Sequence, residues 1–177
     1  MPGIELVIMP PTAPRTNDGR RMKNTTLFVA ASLWLMAAPG AMAQVLPESA
    51  HLQWVVATLL PPGARLAVLS GDPTAPVKTT MLVSMPDGYQ LPPHSHPGYE
   101  HVEVRTGTLL AGMGDKVDPK QTHALAAGDS ATAPGGMHHY SITKGHTVVE
   151  VTFEGPYTIT YLRAEDAPRL RAFPFGY

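Results

Sequence analysis

Two short stretches hold the side chains best suited to binding a metal. His94 and His96 are one residue apart, Glu100 follows four residues later, and His139 comes soon after the turn Pro134-Gly135-Gly136. On an extended segment side chains alternate between faces, so His94 and His96 project to the same side. Glu100 shares its parity with Val102 and Val104, the apolar face of the next strand, and is expected to point inward. By the same parity His101, Glu103 and Arg105 point outward. A buried carboxylate is costly unless something neutralises it, and a divalent metal held by two imidazoles would do so. The Pro-Gly-Gly turn can bring His139 from another strand as a fourth ligand. Three imidazoles and one carboxylate make a mixed N/O set suited to iron, manganese, nickel, copper or zinc. Four protein ligands on a six-coordinate ion leave positions open for water, a substrate or dioxygen. Chemistry at such an ion usually needs a further acid or base. Parity turns Glu103 and Glu150 away from the interior, so the catalytic residue is unknown at this level.

These ligands are expected on short strands. Residues 64–70, 77–85, 101–106, 108–113, 146–153 and 157–162 are rich in β-branched side chains. Between them stand Pro61-Pro62-Gly63, Gly71-Asp72-Pro73, Pro86-Asp87-Gly88, Gly114-Asp115 and Gly155-Pro156, which is turn chemistry. Strands at this spacing, with no long amphipathic helix, predict an all-β barrel or sandwich. The stretch 51–60 reads either as a strand or as a short helix.

Composition narrows the function classes. A hydrophobic share of 44% against 15% charged residues supports a buried core over the 177-residue chain. The net charge is −1 with no run of Lys or Arg, which argues against a nucleic-acid partner. Cysteine is absent, which removes disulfides, thiol nucleophiles, Cys-ligated zinc and iron–sulfur clusters together.

The first 43 residues are expected to lie outside this fold. Arg20-Arg21-Met22-Lys23 supplies positive charge, residues 27–38 are continuously apolar, and Ala41-Met42-Ala43 follows Pro39-Gly40. That is the pattern of a cleavable secretory signal over 22–43, with cleavage between Ala43 and Gln44. The apolar stretch would be about 18 Å long as a helix, against a hydrocarbon core of about 30 Å, so no stable membrane anchor is expected after cleavage. Residues 1–21 are Pro-rich and aperiodic, and are read as a start annotated too far upstream or as an extension without a fold. The remaining domain, 44–177, keeps all eight His and carries nine basic and twelve acidic residues, a net −3. A periplasmic or secreted location follows from this reading.

The histidine stretches resemble the two motifs of the cupin superfamily. The first, G-x5-H-x-H-x3,4-E-x6-G, is matched at every fixed position from Gly88 to Gly107. The second, G-x5-P-x-G-x2-H-x3-N, is matched from Gly128 to His139 and departs only at its last place, where Thr143 stands for Asn. The spacer 108–127 is short, as in small bacterial single-domain cupins of unassigned activity. The resemblance implies a cupin-type jelly-roll β-barrel with His94, His96, Glu100 and His139 as metal ligands facing its interior. It also implies a homodimer, since cupins often pair by exchanging terminal strands.

Two function classes follow. One is a metal-dependent enzyme, an oxygenase, lyase or isomerase acting on a small molecule. The other is a non-catalytic periplasmic module that binds or senses a metal or ligand, marked by a pocket too narrow or too purely aliphatic to orient a substrate. A purely structural barrel without metal is the third possibility. Among the other candidates, His138 and His101 are expected at the rim or surface, and His51, His123 and His146 in solvent. Met81, Met85, Met113 and Met137 are expected as core filling, and Tyr140 and Tyr161 as packing residues. Trp54 is expected to pack the N-terminal segment on the barrel or on a second subunit.

Overall fold

The computed structural model describes the backbone of Val7–Met9 and residues 52–169. These lie in the larger of the two units into which the chain divides, Met1–Pro11 with Leu52–Tyr177. The expected signal segment 22–43, the expected cleavage site after Ala43 and His51 lie outside the described residues.

Alternation shapes every long element. Strand β4 (Lys78–Met85) buries every second residue, Thr79, Met81, Val83 and Met85. Strand β6 (Glu100–Met113) buries Glu100, Val104 and Leu109, and β9 (His139–Glu154) buries Tyr140, Thr143, Thr147, Val149, Val151 and Phe153. One face of each strand is thus apolar, and the sheet must fold on itself to cover it. The other strands are β1 (Val7–Met9), β2 (Val55–Val56), β3 (Arg65–Ser70), β5 (Gln90–Ser95), β7 (Thr122–Ala126), β8 (Ser130–Ala133) and β10 (Thr160–Tyr161). All pairings are antiparallel, in the order β1-β8-β6-β9-β4-β3-β2, with β7 also on β6, β5 on β9 and β10 on β5.

The curl originates in β6 and β9, which pair along most of their lengths and bend together. Their register shifts on either side of Thr106. There Gly107 has φ +78°, and a Cβ on it would lie 2.5 Å from the His146 carbonyl oxygen. One half of β6 (100–103) also pairs with β8, and the other (108–112) with β7. The sheet therefore closes over a core containing Met81, Val83, Leu109, Leu125, Val149 and Val151. This is the expected all-β architecture, with differences of detail: β5, β7 and β8 lie outside the expected strands, and β9 begins at His139 instead of 146. Residues 101–106 and 108–113 form one bent strand, because Gly107 permits the turn without ending the hydrogen-bond ladder. Of 157–162 only Thr160–Tyr161 are strand. Val7–Met9, in a segment expected to lack a fold, pair with β8. The ambiguous stretch 51–60 contains the two-residue strand β2. Among the described residues no helix is long and apolar enough to cross a membrane.

Candidate metal centre

The strand termini bring the two histidine stretches together. His94 lies on β5 directly opposite His139, the first residue of β9. His96 follows the end of β5, and Glu100 opens β6. The amide of Gly136, in the turn before β9, donates to the His96 carbonyl at 2.7 Å, which ties the second stretch to the first. The ring centroids of His94 and His139 are 4.2 Å apart, those of His94 and His96 5.0 Å, and those of His96 and His139 5.3 Å.

Each ring is held by its outer nitrogen. Nδ1 of His94 lies 2.7 Å from the Pro92 carbonyl, that of His96 2.8 Å from the Thr158 carbonyl, and that of His139 3.0 Å from the Met137 carbonyl. A carbonyl only accepts, so Nδ1 carries the proton in all three rings, and in a neutral ring the Nε2 lone pair faces inward. One ligand nitrogen from each of the three rings lies within 4.8 Å of the other two. The Nε2 atoms of His96 and His139 are buried without a hydrogen-bond partner. Such orphans are rare in folded proteins and demand an explanation. A cation accepting all three lone pairs provides one, so the residues present fit a divalent metal.

Glu100 is 7% exposed and stands beside the triad, its Oε2 3.4 Å from His96 Nε2 and 3.5 Å from His139 Nε2. Burial favours the protonated acid, but the neighbouring His96 outweighs it, and with contributions from His139 the carboxyl lies well below the usual carboxylate range. Burial, with the charges of His139 and His96, pushes His94 down to about 3, which keeps it neutral and able to donate its lone pair. For His96 burial acts downward, but the nearby Glu100 charge and the bond from Nδ1 to the Thr158 carbonyl prevail, and the value is raised.

Tyr157 completes the arrangement. Its hydroxyl donates to Glu100 Oε1 at 2.8 Å, and its ring stacks on His96 at 5.1 Å and meets Phe153 tilted by 45° at 4.4 Å. Burial, then the Glu100 charge, raises the phenol well above its ordinary value, so it remains a donor. No motif or spacing along the chain marks this residue. The expected strand over 157–162 includes it, whereas Tyr157 lies in the irregular segment between β9 and β10.

The remaining candidates divide cleanly. Tyr140 lines the adjoining cavity with its ring, while its hydroxyl donates to the Asp118 carbonyl at 2.9 Å. The Tyr161 hydroxyl donates to the Leu59 carbonyl at 2.8 Å, so both act as packing residues. Met85 and Met113 line the cavity, Met81 is core, and Met137 gives its carbonyl to His139. His138 is exposed and 2.7 Å from Asp115; His123 is exposed, and His146 is exposed with Nε2 2.9 Å from Ser84 Oγ. His101 is half-buried, with Nδ1 3.0 Å from Thr132 Oγ1. Glu103 and Glu150 turn outward, as parity required, and flank Arg105 at 2.8 and 2.5 Å. Trp54 is half-buried, and its carbonyl accepts from Arg65 at 3.0 Å.

With this geometry established, comparison with known proteins bears on the fold. A candidate acetylacetone dioxygenase from Methylibium petroleiphilum PM1 superposes with a TM-score of 0.51 at 16% identity, over 66% of this chain and 79% of that one. A cupin superfamily protein from Desulfitobacterium hafniense DCB-2 gives 0.45 at 16% identity, over 52% and 78%. A salicylate 1,2-dioxygenase from Pseudaminobacter salicylatoxidans gives 0.47 at 15%, over 56% of this chain and 28% of that larger one. The fold is that of a cupin. No family model matches the sequence, and no curated protein does either. At these identities the likeness concerns the fold alone. Within this cupin barrel, Thr143, which replaces the motif's last Asn, has a structural task. Its hydroxyl accepts from the Tyr89 amide at 2.9 Å and donates to the Pro86 carbonyl at 2.5 Å, clamping the turn between β4 and β5.

Proposed function

We propose that this cupin is a metal-dependent protein that acts on a small molecule at a divalent transition metal held by His94, His96, His139 and Glu100. The observation that carries the reading is the trio of imidazoles with Nδ1 fixed on carbonyls and ligand nitrogens converging within 4.8 Å. Glu100, held as a carboxylate beside the three rings, supplies the charge that offsets a dication. Iron, manganese, nickel, copper and zinc all suit this donor set. Bound there, such an ion supplies Lewis acidity and coordination positions for a ligand or dioxygen. The protein's own part is to hold the donors rigid and to exclude water through the apolar cavity beside them. An oxygenase, lyase or isomerase is the activity this favours, and the dioxygenase name of the Methylibium neighbour agrees with it. We further infer a periplasmic or secreted homodimer of the 44–177 domain, resting on the signal pattern and the cupin resemblance.

A specific observation favours a second reading, a binding or sensing module. The cavity beside the imidazoles is walled almost wholly by aliphatic side chains, and the hydroxyls of Tyr157 and Tyr140 are already engaged.

The deciding experiment is metal analysis of protein exported by its own signal, beside a His96→Ala control. About one equivalent of iron, manganese, copper or nickel, lost in the control, supports the enzyme and justifies oxygen-uptake screening. Stoichiometric zinc supports the binding module. Metal below about a tenth of an equivalent, not restored by reconstitution, overturns both readings and leaves a structural barrel.

A further inference from the structure

The cavity beside the triad restricts what can enter it. It measures about 80 Å³ and is walled by aliphatic side chains from six strands, among them Val83, Leu91, Val102, Leu125, Ala131 and Val149. Its polar side chains cluster at the His94, Glu100 and His139 end, and Tyr157 and Tyr140 contribute rings whose hydroxyls are bonded elsewhere. Ser141 is the one further hydroxyl, and among the described residues no Lys or Arg lines the space.

Resting on the metal reading above, the geometry points to a ligand class: a compact molecule with a single polar head and an aliphatic body. The head, an anion or a chelating oxygen pair, lies toward the three imidazoles. The body fills the aliphatic end. A second carboxylate or a phosphate would be buried there with no cation to receive it, which costs far more than the contacts return. A polyol would exchange several hydrogen bonds to water for one serine hydroxyl. Size is limiting too. A cavity of about 150 Å³ accommodates benzene, so roughly half that volume fits a body of about three to five carbons.

The test uses protein loaded with cobalt(II), whose visible absorption reports ligands at the ion and needs no turnover. Cobalt content is measured first. Three four-carbon probes are then titrated: butyrate, succinate and erythritol. Butyrate is expected to change the spectrum saturably and to raise the melting temperature. Succinate is expected to bind at least about tenfold more weakly, and erythritol to leave the spectrum unchanged. Leu109→Ala enlarges the cavity and moves the preference from butyrate to hexanoate. Ala111→Val narrows it and favours acetate, which gives a second reading of size should the first variant be poorly folded. Succinate or erythritol binding as tightly as butyrate overturns the assignment, as does a cobalt-loaded protein that butyrate leaves unchanged. In both cases the metal site stands. Failure to take up cobalt removes the metal reading itself, and with it this ligand class.

Discussion

Replacing Tyr157 by Phe removes one atom from the candidate site and leaves its shape intact. The ring keeps its stack on His96 at 5.1 Å and its tilted contact with Phe153 at 4.4 Å, while the 2.8 Å hydrogen bond to Glu100 Oε1 is lost. Hydrogen bonds to charged groups contribute about 1.5–3 kcal/mol. At about 1.4 kcal/mol per tenfold, that corresponds to a metal affinity weakened by roughly 10- to 100-fold, the usual cost of losing a group that orients a ligand. The affinity is read by competing zinc between the protein and a chromophoric chelator, with stability followed in parallel by urea unfolding of the metal-free protein. Tyr161→Phe is the control, since its hydroxyl serves the Leu59 carbonyl and its ring lies 5.9 Å from His94. That variant is expected to lose about 0.5–1.5 kcal/mol of stability and to keep its affinity for metal. If Tyr157→Phe holds zinc within about threefold of the parent, or Tyr161→Phe loses it equally, Tyr157 does not orient Glu100 for a metal.

Three further outcomes are expected. Gly112→Ala places a Cβ 2.2 Å from Tyr140 Cζ and must displace a ring that is 1% exposed. Urea unfolding should show a loss of about 3 kcal/mol or more, and adding Tyr140→Leu should recover part of it in a double-mutant cycle. Arg105→Gln leaves Glu103 and Glu150 directly opposed across β6 and β9. A loss of about 0.5–1 kcal/mol, shrinking as salt is raised, is expected in the same measurement. Thr143→Val removes both hydrogen bonds of the clamp between β4 and β5 and should cost about 1–3 kcal/mol. Its effect on zinc affinity should stay small, because Thr143 touches none of the ligands.

Much of the site is legible in sequence because its geometry is local. The inward set of Glu100 and Val104 and the outward set of Glu103 and Arg105 follow from period two along one strand, and the structure keeps both. His94 and His139 each reach back to the carbonyl two residues earlier, at Pro92 and Met137, so their tautomers are set within their own segments. The strand breaks were less legible. A glycine inside a β-rich stretch marks either an end or a bend, and at Gly107 only the ladder continuing on both sides decides for a bend.

What the sequence determines by itself is the donor set and its facing, since residue types and backbone alternation need no knowledge of the rest of the chain. Only the tertiary structure decides which distant groups fix and surround those donors. The Thr158 carbonyl that orients His96 is 62 residues away, and the Tyr157 hydroxyl on Glu100 is 57 residues away. Strands from across the sheet wall the cavity with aliphatic side chains that look, one by one, like ordinary core. These are long-range contacts made when the curled sheet closes, and no periodicity along the chain encodes which residue a loop brings to a neighbour far away in sequence.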